Sequence, residues 1–117
     1  MIYGIGLDIV KLKRIERLLD KNTRFEERVF TPKERERLRE YKGQRRIEFA
    51  GGRYAAKEAF AKAAGTGISR EFGFQDIEVD SDKSGKPLIK AEGTTMKIHV
   101  SITHCEEYAA AQVILES

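Results

Sequence analysis

One cysteine, Cys105, is too few for an internal disulfide, and zinc held by a cysteine cluster is excluded. A lone thiol fits a reducing compartment, so a cytoplasmic location is expected. No apolar run approaches the roughly 18 residues of a membrane span. Asp8 and Lys11 interrupt the N-terminus too early for a signal peptide. A membrane partner is not expected. Repeats, low-complexity tracts and domain linkers are also missing. With 117 residues, this leaves a single domain over 1–117 with one modest core.

What is present is a basic region on a slightly acidic body. From Lys11 to Arg46 there are 14 Lys and Arg against 7 Asp and Glu, while the remainder holds 8 basic and 12 acidic residues. Such an asymmetry favours an anionic partner, and equally fits a set of solvated helix faces.

Residues 2–10 read as a strand. Within "YGIGLDIV", Tyr3, Ile5, Leu7 and Ile9 share one face, and Gly4, Gly6 and Asp8 share the other. Asp is depleted in strands and costly to bury alone, so Asp8 needs a cation, a helix end or a metal. The glycines beside it allow a ligand or another backbone to come close. In "KLKRIERLLD", Leu12, Ile15, Leu18 and Leu19 recur at helical spacing. "TPKE" at 31–34 starts a helix: Thr31 caps it, Pro32 sits at its first position and Glu34 closes a capping box. That helix is expected to run to about Tyr41, with "KGQRR" as a loop after it.

A longer, alanine-rich helix is predicted over roughly 45–64, with Gly51 and Gly52 marking a kink or a close approach. Gly65 stops it, and "GTGISREFG" follows as a loop. "FQDIEVD", "LIKAE", "KIHVSIT" and "YAAAQVIL" then read as strands, with "SDKSGKP" a turn. A strand, then helices, then a run of antiparallel strands makes an α+β domain.

Glu58 and Lys62 are four apart and share a helix face; alone they would be a surface ion pair worth a few tenths of a kcal/mol. With Asp8 they become a different set. Two carboxylates hold a hard divalent cation such as Mg²⁺ while water and phosphate oxygens complete its shell. A lysine four residues on neutralises the same phosphates. His104, at the expected turn after "HVSIT", suits a phosphate, a base or a hairpin cap, and all three stay open. His99 reads as structural. Cys105 has no oriented acid that would make it a nucleophile.

Taken together, "IYGIGLDIV", "FAGGRYAAKEAFAKA" with "GTGI" after it, "FQDIEV", "SGKP" and "HVSITHCEEYAAAQVI" resemble the bacterial holo-[acyl-carrier-protein] synthase family. These are the small 4′-phosphopantetheinyl transferases of fatty-acid synthesis. The resemblance runs nearly end to end. Its specific part is a G-x-D strand followed about fifty residues later by K-E-x-x-x-K, here Gly6, Asp8, Lys57, Glu58 and Lys62.

The resemblance implies an N-terminal strand and helices packed on an antiparallel sheet. It also implies a reaction. Coenzyme A gives its phosphopantetheine arm to a serine of apo acyl carrier protein, and adenosine 3′,5′-bisphosphate leaves. Asp8 and Glu58 would hold Mg²⁺, or Mn²⁺, on the pyrophosphate. Glu58, directly or through a metal-held water, would take the serine proton, and Lys62 would stabilise developing charge. Arg53, Gly65, the Gly85–Lys86–Pro87 turn and His104 would belong to the coenzyme A cleft, with Arg45, near Arg46, on the 3′-phosphate. Arg14, Arg24 and Arg28, with Phe25 as an aromatic anchor, would meet the acidic carrier protein. A homotrimer with sites between subunits is implied too. A basic nucleic-acid-binding module would leave the paired carboxylates unused, and no nucleic-acid partner is expected. A metal-dependent nuclease is expected to place its acid and lysine on a strand, whereas Glu58 and Lys62 fall on a helix.

Overall fold

β1 (Ile2–Lys11) has its two predicted faces, and the one turned inward is the glycine face. In the computed structural model, which describes residues 1–117, α4 (Gly43–Ala64) lies across Gly4 and Gly6. A β-carbon on Gly6 would run into the Ala59 carbonyl, and one on Gly4 into that of Ala63. The close approach anticipated from the glycines is thus to another backbone, that of α4. Tyr3, Ile5, Leu7 and Ile9 point the other way and stay 58–65% exposed.

The architecture is α+β. After β1 come α1 (Leu12–Lys21), α2 (Arg24–Val29), α3 (Pro32–Leu38) and α4, then a short 3₁₀ turn at Phe74–Asp76. The strands β2 (Ile77–Ser81), β3 (Pro87–Ala91), β4 (Lys97–His104) and β5 (Tyr108–Glu116) follow. One antiparallel sheet has the order β1-β5-β4; β2 and β3 form a separate antiparallel pair. The β1–β5 register sets Asp8 opposite Ala111 and Gly6 opposite Val113.

The core lies between this sheet and the helices. Leu12, Ile15 and Leu19 of α1, Ala50, Ala55, Ala56, Ala59, Phe60 and Ala63 of α4, and Val113 and Leu115 of β5 are buried in one apolar cluster. Each large apolar side chain so buried stabilises the fold by about 1.5–3 kcal/mol. Alanines, which add little bulk, let α4 sit close to its neighbours on most sides. Gly51 and Gly52 belong to this packing: a β-carbon there would press on Leu12 and on Ile102. They mark a close approach, and the helix runs on through them unbroken.

Three boundaries differ from the sequence reading. α4 begins at Gly43, so "KGQRR" is largely its first turn rather than a loop. α3 ends at Leu38, short of Tyr41. α2 was not anticipated; six residues are too few to show a helical period, and Thr23 makes no side-chain capping bond. The capping box is present, with the Thr31 hydroxyl accepting from the Glu34 amide and Glu34 Oε1 accepting from the Thr31 amide. Gly65 closes α4 in the left-handed region, at φ 82°.

Candidate active site

Asp8 stands at the end of the inward glycine face of β1, where the strand leaves room for a side chain against α4. Lys62 of α4 reaches it: Nζ lies 3.1 Å from Asp8 Oδ1 and 3.0 Å from the Leu7 carbonyl oxygen. Glu58, one turn earlier, completes the trio. Burial, and then the neighbouring Asp8 carboxylate, push the Glu58 carboxyl above its ordinary range; Lys62 and the Tyr54 hydroxyl oppose this without cancelling it. Lys62 pairs with Asp8 and not with Glu58, and Arg14 acts on Glu58 only as the weakest of its neighbours, so Glu58 remains short of positive charge. The donor set is all oxygen, and no cluster of three or more His, Cys, Asp and Glu is gathered to enclose an ion. A site offering two carboxylates and leaving the remaining positions to water or phosphate fits Mg²⁺.

A second feature lies further toward the N-terminus of α4. A cavity of about 500 Å³ is lined by Arg37, Arg45, Arg53, Gly85, Pro87 and His104, among others. It is rich in cations. The Arg45 guanidinium sits 5.0 Å from the Tyr41 ring centre, and that of Arg53 sits 4.2 Å from the Phe49 ring centre. Arg53 Nη2 donates to Ser81 Oγ at 3.1 Å, but its Nε is buried without a partner. Burial, then Arg37, lower the Arg53 pKa from its ordinary value. Crowded, incompletely paired arginines are a recognition surface for phosphate.

The turn that brings Gly85 and Pro87 here is built by Asp82, whose Oδ1 accepts from the Ser84 amide, the Ser84 hydroxyl and the Lys86 amide. These hold the Asp82 carboxyl below its usual range. Gly85, at φ +89°, takes the left-handed position of the turn. His104 is the last residue of β4 rather than part of a turn, and its Nδ1 lies 3.7 Å from Glu48 Oε2.

The structure therefore gathers Asp8, Glu58 and Lys62 in one place and Arg45, Arg53, Gly85, Pro87 and His104 in another. Lys86 and Gly65 do not line the cavity, and none of Asp8, Glu58 or Lys62 does. Arg46 turns away to Glu26, 3.5 Å from its Oε2. Arg14, Arg24 and Arg28 are exposed. Phe25 departs from the expected exposed anchor: it is only 6% exposed, its ring 5.9 Å from Phe30 and 6.0 Å from Tyr54, so most of the ring packs α2 onto the core.

Residues 4–113 match the family model for the 4′-phosphopantetheinyl transferase superfamily. The holo-[acyl-carrier-protein] synthase of Bacillus velezensis is 54% identical over 117 residues, covering 99% of this chain and 97% of that one. The chain belongs to the holo-[acyl-carrier-protein] synthase family. Among solved structures, the family member from Bacillus anthracis, in complex with CoA (3′,5′-ADP), superposes with a TM-score of 0.94 at 52% identity. The match covers 100% of this chain and 98% of that one. The family member from Neisseria meningitidis superposes with a TM-score of 0.89 at 37% identity, covering 100% of both chains.

Within this family frame, Tyr54 is absent from the sequence reading, and Lys57 stands there only as a member of the K-E-x-x-x-K motif, with no role of its own. Tyr54 is one turn before Glu58, and its hydroxyl is near enough to influence it; burial, then Glu58, raise the Tyr54 pKa. The i, i+4 spacing that linked Glu58 to Lys62 also links Tyr54 to Glu58 and was the available signal. Lys57 is fully buried, its Nζ 2.6 Å from Glu34 Oε1, 2.7 Å from the Val29 carbonyl oxygen and 3.0 Å from that of Phe74. Nothing in "AAKEAF" announces that the lysine goes fully inward while the glutamate beside it stays half-buried.

Proposed function

We propose that this chain, working as one domain over residues 1–117, moves the 4′-phosphopantetheine group from coenzyme A to a serine of apo acyl carrier protein. The serine oxygen forms a bond to the β-phosphorus of coenzyme A. The phosphoanhydride bond breaks, and its electrons leave with adenosine 3′,5′-bisphosphate. The observation that carries this reading is the meeting of Asp8, Glu58 and Lys62, inside a chain that matches its family end to end.

Asp8 and Glu58 are the residues that would hold Mg²⁺, or Mn²⁺ in its place. Bound there, the ion supplies neutralising charge to the pyrophosphate. Glu58 is suited to take the serine proton, because burial and Asp8 have already raised its affinity for one. Lys62, half exposed and already aimed at Asp8, stabilises the charge that gathers on the phosphate oxygens. The arginine-lined cavity suits the nucleotide end of coenzyme A, with Arg45 and Arg53 on phosphate and His104 and the Gly85–Lys86–Pro87 turn at its edge. Gly65 ends α4 near Lys62 and would border the same substrate. Arg14, Arg24 and Arg28 form the basic face toward the acidic carrier protein, where arginine forks suit carboxylates.

The active form is a homotrimer. Ile5, Leu7 and Ile9 form an exposed apolar stripe on the open face of the sheet, where Ile5 pairs across with Ile114. An apolar face of this kind on a small protein favours contact with further copies. The carboxylate trio and the arginine cavity have no lining residue in common, so sites between subunits give a long substrate a continuous path. The cytosol, where Cys105 stays reduced, is the matching compartment.

The test incubates the protein with Mg²⁺, coenzyme A and an apo carrier protein, and reads the carrier's intact mass. A phosphopantetheine adduct is expected; an unchanged carrier overturns the reading. Light scattering checks the trimer, and a fully active monomer overturns it.

A further inference from the structure

α2 is six residues long, far shorter than the 12–15 residues below which isolated helices are marginal. The last carbonyls of any helix lack partners within it. Here two side chains from elsewhere supply them. Gln75 Nε2, in the 3₁₀ turn, lies 3.0 Å from the Glu27 carbonyl oxygen, 3.2 Å from that of Arg28 and 2.9 Å from that of Phe30. Lys57 Nζ lies 2.7 Å from the Val29 carbonyl oxygen between them. Four successive carbonyls thus face one amide, whose two protons are shared among three of them, and one ammonium.

The orientation of the Gln75 amide is determined by its surroundings, since turning it over would set its oxygen against three carbonyl oxygens. Lys57 is buried and bound into the core, whereas Gln75 is exposed and makes no other side-chain hydrogen bond. Arg24 and Arg28 share the outward face of α2 at i, i+4, while Phe25 and Val29 fix its inward face. The direction of those two arginines therefore depends on how the end of α2 is held.

We propose that Gln75 is a positioning residue for carrier-protein docking, holding α2 by its terminal carbonyls so that Arg24 and Arg28 face the partner. The proposal rests on the reading that these arginines meet the acidic carrier. Gln75→Met keeps the length of the side chain and removes the donor; Gln75→Asn keeps an amide that falls short. Each is expected to raise the KM for carrier protein about five- to tenfold. The KM for coenzyme A, the kcat at saturating carrier and the urea midpoint are expected to stay at wild-type values. Hydrogen exchange is expected to quicken at the amides of α2 and not of α4.

Arg28→Glu, measured in parallel, separates the two levels. If Arg28→Glu raises the carrier KM and both Gln75 variants leave it unmoved, the positioning role is overturned. If Arg28→Glu and the Gln75 variants all leave it unmoved, the docking face itself is wrong and the proposal falls with it. If the Gln75 variants raise both substrates' KM equally, Gln75 serves the fold at large and the proposal is again overturned.

Discussion

Lys57 and Lys62 lie five residues apart on α4, and each donates to a carboxylate. Around Lys57 every group is matched. Its three ammonium protons have three acceptors, and Glu34 also accepts from the amides of Thr31 and Val79. Both side chains of that pair are at most 1% exposed. Around Lys62 the matching is partial. Its side chain is 51% exposed, it binds Asp8 and the Leu7 carbonyl, and the second carboxylate, Glu58, is left under-neutralised. The same chemistry in two surroundings yields a structural joint in one case and an open site in the other. A buried network survives only when complete, whereas a substrate site needs unmet charge.

Breaking the complete network should have the largest effect. Lys57→Met, similar in length, leaves Glu34 buried and charged without its cation. Removing one partner of a buried pair costs about 3–5 kcal/mol, and the loss should appear as a matching fall in unfolding free energy in urea. Burial has already lowered the Lys57 pKa, but Glu34 holds it against that trend. A variant within about 0.5 kcal/mol of wild type, the range of ordinary surface changes, would mean that the joint between α2, α3 and α4 is made elsewhere.

Breaking the incomplete network should leave the fold and remove the chemistry. Asp8→Asn and Glu58→Gln are each expected to lower kcat about 10²–10³-fold, the range for losing a group aimed at transition-state charge. Mg²⁺ is expected to raise the melting temperature of the wild type and of neither variant. Turnover near the wild-type level in either variant at saturating Mg²⁺ would remove that carboxylate from the site.

The contrast was only half legible in the sequence. A period of two shows that β1 has two faces but does not say which is covered, and here the covered face is that of Gly4, Gly6 and Asp8. The oddity of Asp8 is readable because an aspartate in a strand needs a cation, a helix end or a metal; the completeness of the Lys57 network is not. Its acceptors are carbonyls of Val29 and Phe74, and a carbonyl carries no sequence signature. Glu34 was legible as a capping residue, yet its second oxygen accepts from Val79, far along the chain. The burial of Phe25 is hidden for a related reason: beside exposed arginines it looks fully exposed, and only the α2 contacts show most of its ring facing inward.

Lys62→Ala sharpens the comparison from the cationic side. Losing Lys62 leaves Asp8 without its paired cation and Glu58 without a neighbouring one, but at a site open to solvent on the lysine side, so stability should fall by less than in Lys57→Met. The kcat is expected to fall about 10–10²-fold, with a smaller change in the KM for coenzyme A, because its charge matters most while the phosphates rearrange. A rise in KM with unchanged kcat would make it a plain substrate anchor.

The smallest effect distinguishes the two networks by sign. Glu58 has its pKa raised in the folded chain, first by burial and second by Asp8. The native state therefore holds this proton more tightly than the unfolded chain does. Stability falls as pH rises from the ordinary carboxylate pKa through the raised one, and the full penalty is present at neutral pH. Glu58→Gln removes that penalty. Without added metal, the variant is expected to melt about 1–3 °C above wild type at pH 7, a gain kept small by the solvent that screens a partly exposed group. The difference should close as the pH falls below the ordinary carboxylate range, where Glu58 is neutral in both states. Lys57→Met moves stability the other way at the same pH. A Glu58→Gln protein that melts below wild type at pH 7 would show that Lys62 and Tyr54 already compensate this carboxylate, and the supposed shortage of positive charge at the site would be wrong.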